Sequence, residues 1–190
     1  MVGATLFCVA TAPLTTAQIY VDGPSLPPSL DKAVAETPLI IRGRLVSERN
    51  DTYQMPAIGG KPALIPVSVY TVELLETLKA PGPAGAAPLV EVRHVGWSGN
   101  EQSPPSVRQR MDRSFPPLDI GGEYVLFLLV NQVGDWGFGY GAQGAFEERD
   151  GKVECAVRSE VAAIWRGKPW NQFITAIREL ARRPVRSKRR

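Results

Sequence analysis

Chemistry that needs an imidazole has one residue to draw on in this chain, His94. A metal site would require further ligands at workable spacing, and the acids near His94 are not presented by any predicted helix. As a general base, His94 would need a nucleophile and an orienting carboxylate beside it. Nothing adjacent in sequence supplies them, so a strand histidine on an outer surface is the simpler expectation. Cys155 has no neighbouring base to lower its thiol pKa and reads as a small, half-buried hydrophobe on a strand. The other cysteine, Cys8, lies in a segment that looks removable, so a disulfide framework is excluded. Ser98-Gly99-Asn100, beside Trp97, reads as a turn rather than as a catalytic serine. The residues therefore imply no catalytic set, no metal and no cofactor, and they favour a binding role over an enzyme.

Two motifs carry sharper alternatives. Gly139-Tyr140-Gly141-Ala142-Gln143-Gly144 fits G-x-G-x-x-G, which binds dinucleotides only where it leaves a strand and opens a helix onto the pyrophosphate. Here Ala145-Phe146-Glu147-Glu148 follows without a helical stripe, so the expectation is a bulged, tightly curving strand. Trp136, Phe138 and Tyr140 alternate along that strand and could stack bases or a glycan, with His94 and Trp97 as further candidate ligand contacts. The acids Asp135, Glu147 and Glu148 flank these rings where a nucleic-acid surface would carry bases, so core packing is the preferred reading.

Charge is concentrated at one end. Arg182, Arg183, Arg186, Lys188, Arg189 and Arg190 form a basic tail over 182–190, expected to be disordered. Setting these six charges aside turns the formal net charge of +3 into −3, so the body offers no polyanion footprint. At the other end, residues 1–17 are small, apolar and uncharged and resemble a secretory segment, with Thr15-Thr16-Ala17 or Ala10-Thr11-Ala12 before a cleavage point, although the basic leading region is missing. The expected location is periplasmic or secreted, with the cytoplasm as the alternative. No run is long enough to span a membrane: the most apolar, Tyr124 to Val130, falls far short of the roughly 20 residues required.

The elements that would position these residues are mostly strands. Residues 18–38 are Pro-rich and read as an extended lead-in with one helical turn around Ser29 to Glu36. "LIIRGRLVS" from Leu39 alternates as a half-buried strand with a glycine at a bend, and "VSVYTVELLETLKA" begins as a β-branched strand whose Leu-rich end could bulge. "LVEVRHV" is a third strand and "GGEYVLFLLV" a fourth, continuous enough in apolar residues for both faces to be covered. "AFEERDGKVECAV" predicts a hairpin closed at Asp150-Gly151. "PWNQFITAIRELARR" places Trp170, Phe173, Ile174, Ile177 and Leu180 at helical spacing behind Pro169, an amphipathic helix that must cover one face of the sheet. The segments 48–66 and 98–119 read as long rim loops, the usual carriers of function.

"TPLIIRGRLVS", "YTVELLETLKA" and "GGEYVLFLLV", followed by a Gly-rich strand, a "DGKV" hairpin and a terminal helix, resemble the bacterial netrin-like, or tissue-inhibitor-of-metalloproteinase-like, group. The resemblance implies a mainly β fold: an OB-like barrel of five to six strands over 39–181 with the helix packed on it. In the animal inhibitors an N-terminal cysteine chelates a protease metal. Neither Gln18 nor Pro13, the residues the two cleavage points would leave first, can do that, so this activity does not carry over. The resulting expectation is an exported, non-enzymatic binding module with a protein or other macromolecular partner. The alternative is an OB-like single-stranded nucleic-acid binder using the aromatic strand and the basic tail.

Overall fold

The computed structural model describes residues 25–55, 63–81, 88–95, 118–130 and 134–183. The loop expected at 98–119 falls outside them except for its last two residues, as do Trp97, Ser98-Gly99-Asn100, residues 1–17, and Arg186, Lys188, Arg189 and Arg190. The described part is mainly β: α1 (Leu30–Glu36), β1 (Leu39–Met55), β2 (Ala63–Lys79), β3 (Leu89–Val95), β4 (Glu123–Val130), β5 (Trp136–Gly137), β6 (Ala145–Arg149), β7 (Lys152–Glu154), α2 (Glu160–Trp165) and α3 (Trp170–Ala181), with a 3-10 turn at Gly141–Gly144.

Seven strands form one sheet in the order β1-β2-β3-β5-β4-β6-β7, and β1 also pairs with β4. Five strands thereby close a ring, while β6 and β7 extend beyond it. All the ring pairings are antiparallel except β3 with β5, which meet in parallel at Arg93 and Gly137. Closure depends on β1 serving two partners: Leu39 to Arg44 pair with β4, and the whole strand pairs with β2. Gly43 stands at this crossing, opposite both Leu74 and Tyr124. A methyl group there would collide with Val72 and with the Glu73 carbonyl oxygen, so glycine is required for close approach. The ladder skips Leu75 and Leu78 on β2, the Leu-rich end expected to bulge, and Val46 on β1. Bulges bend and twist a strand, which is what closing a ring from so few strands demands.

The alternation of β4 separates two apolar layers. Tyr124, Leu126 and Leu128 point into the ring with Leu39, Ile41, Leu45, Tyr70, Val72, Val92 and Phe138. Val125 and Phe127 point outward to a second layer with Ile40, Phe146, Val153 and the helices. The five consecutive buried residues from Tyr124 to Leu128 confirm that both faces of this strand are covered. The helix predicted at the C-terminus supplies the cover, burying Trp170, Phe173, Ile174 and Ile177.

The folded unit reaches further upstream than residue 39. Leu26, Leu30, Ala33 and Val34 belong to the outer layer. Ser29 caps α1 by accepting from the Lys32 amide, and Lys79 donates to the carbonyls of Val34 and Ala35 at its other end. The hairpin turn expected at Asp150-Gly151 joins β6 and β7, both residues holding positive φ (52° and 75°), the requirement of a type I′ turn. Three expectations are corrected. Most of the predicted 48–66 loop is paired strand, β1 against β2 out to Met55 and Ala63, forming a long two-stranded ribbon. The glycine-rich stretch is not one curving strand but a two-residue strand, a turn and a 3-10 turn. The barrel of five to six strands is a five-strand ring inside a seven-strand sheet.

Candidate functional site

Register across β1, β2 and β3 stacks the inward-facing residues in rows, because residues opposite one another in a ladder share a face. Leu45, Val72 and Val90 form an apolar row. Glu48, Tyr70 and Val92 form the next, and Asn50, Ser68 and His94 the one beyond. The interior therefore changes from hydrocarbon to polar along the ring axis, ending in a pole that gathers a carboxyl, an amide, two hydroxyls and the imidazole.

The pole is ordered by packing. Tyr70 and Ser68 are fully buried. The Tyr70 ring meets Phe138 edge-on with centroids 5.4 Å apart, and His94 stands 6.5 Å from the same phenyl ring. Glu48 stands opposite Tyr70 in the β1–β2 ladder, and the Ser68 hydroxyl lies 3.5 Å from Asn50 Oδ1. Burial pushes the Glu48 carboxyl above its ordinary pKa, and the neighbouring Tyr70 hydroxyl pulls it only partly back. A polar, partly desolvated set of this kind can hold a polar ligand group or gate access to one.

The outer face of the same three strands is charged and internally matched. Arg49 on β1 reaches over β2 to Glu91 on β3 at 2.9 Å, and Arg93 meets Asp135 at 3.2 Å. Val69, whose ladder partners are Arg49 and Arg93, is fully buried. A second network fixes α3 to the ring: Glu123 accepts from Arg42 at 2.7 Å and from the Trp170 indole at 2.9 Å, while Arg178 grips Glu76 through two bonds of 2.7 and 2.6 Å.

The sequence-predicted residues divide among these environments. Phe138 faces the ring interior and Trp136 packs against the same layer. Tyr140 is buried in the outer layer instead, its hydroxyl 3.4 Å from that of Thr37. The three rings therefore do not line one exposed face, and Phe138 and Tyr140 keep only 6% and 7% of their surface in water, too little to stack a base. His94 shares the inward face with Val90 and Val92, correcting its expected place on the outer surface. Cys155 is 4% exposed just past β7, not half-buried on a strand, and its thiol, raised by burial, lies 3.1 Å from the Val157 carbonyl. Arg182 and Arg183 are exposed at the end of α3, Arg183 lying 3.7 Å from Asp31.

Sequence reasoning missed Glu48, Asn50, Ser68 and Tyr70. Their signal was local: Ser68 and Tyr70 alternate with valines in "VSVYTV", a polar phase inside a β-branched run. Among the described residues no three of His, Cys, Asp and Glu gather as metal ligands, and no helix is long and apolar enough to cross a membrane. The sequence matches no protein-family model and no curated protein.

Proposed function

We propose that the chain is an exported, non-enzymatic binding module of the OB-like, netrin-like kind, acting on a protein partner through the polar pole of its ring and the adjoining stretch of β1. The observation that carries this reading is the ring order β1-β2-β3-β5-β4-β1 with β3 and β5 parallel. An up-and-down barrel would pair its strands in sequence order, so a five-strand ring closed out of sequence order supports the OB-like reading. Binding members of that architecture use the region of strands 2 and 3 and the loops beside it. In this chain that region carries the polar pole, at whose end Asn50 is exposed, and beside it the exposed residues Arg49, Asp51 and Thr52. Its charges alternate in sign, which suits the polar rim of a protein partner better than a polyanion.

A photo-reactive residue at Asn50 in the full chain should capture the partner in periplasmic or culture-fluid extracts, while the same group at Glu179, exposed on the far side of α3, should not. Equal capture from both positions would remove the assignment. Cell fractionation with N-terminal sequencing tests export, and a full-length cytoplasmic protein would overturn it. Fluorescence anisotropy with a short single-stranded oligonucleotide at low salt tests the nucleic-acid alternative. Tight binding that is lost on Trp136→Ala, the least buried of the three rings, would favour that alternative over the protein-binding reading.

A further inference from the structure

As far as Leu45, β1 is held on both edges, by β2 and by β4 with Gly122. Past it, β2 is the only described strand that pairs with β1, so the second edge of the ribbon, from Ser47 to Met55, meets no described strand. Which backbone groups face that edge follows from the ladder. Pro66, which has no N–H, stands opposite Thr52, and the Thr52 amide donates to the neighbouring Asp51 carboxylate at 2.8 Å instead of to β2. Thr52 therefore sits where the backbone points away from β2, and alternation gives Glu48 and Asn50 the same direction. An open edge of this length is a template for another strand unless its side chains forbid it.

We propose that this edge pairs with β1 of a second copy of the chain, antiparallel about a two-fold axis at Asn50. The charges choose the occupant and the register. About Asn50, Arg49 of each copy falls directly opposite Asp51 of the other, so the same ion pair forms on both sides of the axis. Both residues are exposed on the outer face, where Arg49 already meets Glu91 at 2.9 Å and keeps further donors for a second carboxylate. Ser47, small and exposed, falls opposite Tyr53 and leaves room for its ring. An axis at Arg49, at Asp51 or at Glu48 would set like charges against each other, and an axis at Thr52 would form neither ion pair. Docking breaks the Thr52–Asp51 bond but replaces both halves: the Thr52 amide gains the Glu48 carbonyl of the second copy, and the Asp51 carboxylate gains the Arg49 guanidinium. The inference names the partner of the β1 stretch assigned above and rests on that reading for its location.

Sedimentation velocity of the full chain over a concentration series should show a reversible dimer. Arg49→Asp and Asp51→Arg should each weaken it at least about tenfold, since each variant turns both ion pairs into like-charge pairs. Mixed in equal amounts, the two variants should associate again, because each then presents the sign that the other lacks. In a Cys8→Ser background, Asn50→Cys should form a disulfide-linked dimer under mild oxidation, as directly opposed residues about 5.5 Å apart allow, while exposed Glu179→Cys should not. A wild type that stays monomeric throughout the series, a dimer indifferent to either charge reversal, a mixture that does not associate, or equal cross-linking from the two cysteines would each overturn the proposal. Capture of a different protein at Asn50 by a chain that remains monomeric would keep the binding reading and overturn this one.

Discussion

Truncating Phe127 to alanine tests the two-layer architecture at its centre. Phe127 has no exposed surface; its ring lies 5.7 Å from that of Phe146, which in turn stands 4.9 Å from Phe173 on α3. The walls of the resulting cavity would come from strands and helices that are each fixed elsewhere, β4 by its ladders to β1 and β6, and α3 by Glu76 and Glu123. Collapse would require two anchored elements to move together, so the site should relax poorly. Lost transfer energy and the cavity together cost about 3–5 kcal/mol for a buried phenylalanine. About 0.5–1.5 kcal/mol of that reflects the edge-to-face pair with Phe146. Against a typical total stability of about 5–15 kcal/mol this is a large displacement of the unfolding midpoint. Urea unfolding of Phe127→Ala beside Val130→Ala gives the assay, since Val130 closes the same strand with 53% of its surface exposed and should change stability by less than about 0.5 kcal/mol. A loss below about 1.5 kcal/mol at Phe127 with an unchanged denaturant slope would mean that α3 does not cover β4, and the outer layer as described would be wrong.

Gly43→Ala should lower stability by about 1–3 kcal/mol in the same assay, because the added methyl meets Val72 and the Glu73 carbonyl where β1 passes between two partners; a neutral result would refute the close approach. Burial of Glu123 raises its pKa, but hydrogen bonds from Arg42 and Trp170 and the charges of Arg42 and Arg44 outweigh it and hold the carboxyl below its ordinary value. Its contribution is therefore present above the unfolded carboxylate value and lost as pH falls through the lower folded one. Glu123→Gln should cost about 1 kcal/mol at pH 7 and progressively less toward pH 3, and a pH-independent cost would exclude the ion pair as the cause. In a Cys8→Ser background, Cys155 should resist a thiol reagent until the chain unfolds, since burial raises its thiol; rapid labelling of the native protein would show that the site opens.

What could be read in advance was whatever one element encodes within itself. The continuous run of β4, the helical spacing behind Pro169 and the Asp150-Gly151 turn each carry their own period or turn chemistry, and each formed as its pattern implied. The ribbon was hidden because "SERNDTYQ" is polar and reads as loop by composition. Its pairing is imposed by β2, a long-range constraint that no local window contains. α2 was missed for a different reason: six residues are too few to display a helical period, and only the Ser159 cap, accepting from Ala162, marks its start. Glu48 and Ser68 are 20 positions apart and enter the same pole only through register, which the Val46 bulge shifts by one residue. Without that shift the inward phase of Leu45 would have continued to Ser47 and Arg49.

That one-residue offset ties the fold to the candidate site. In a strand the side-chain period is two, so a slip of one exchanges every face. The bulge turns half-buried Glu48 and exposed Asn50 to the inward side of β1, and it sends Arg49 outward, where its guanidinium meets Glu91. The opposite phase would bring the arginine into the ring beside Tyr70, an uncompensated charge in a space that excludes water, while Glu48 would face Glu91 across the outer surface. The polar pole and the matched outer belt are thus two consequences of the same irregularity. Deleting Val46 removes the extra residue itself, so Ser47 would follow Leu45 in an unbroken ladder with Glu48 still opposite Tyr70 and Arg49 still outward; the pole and the belt should both survive, seen as a change of less than about 1 kcal/mol in urea unfolding. A much larger loss would show that the bend the bulge gives β1, and not the phase alone, is needed to close the ring.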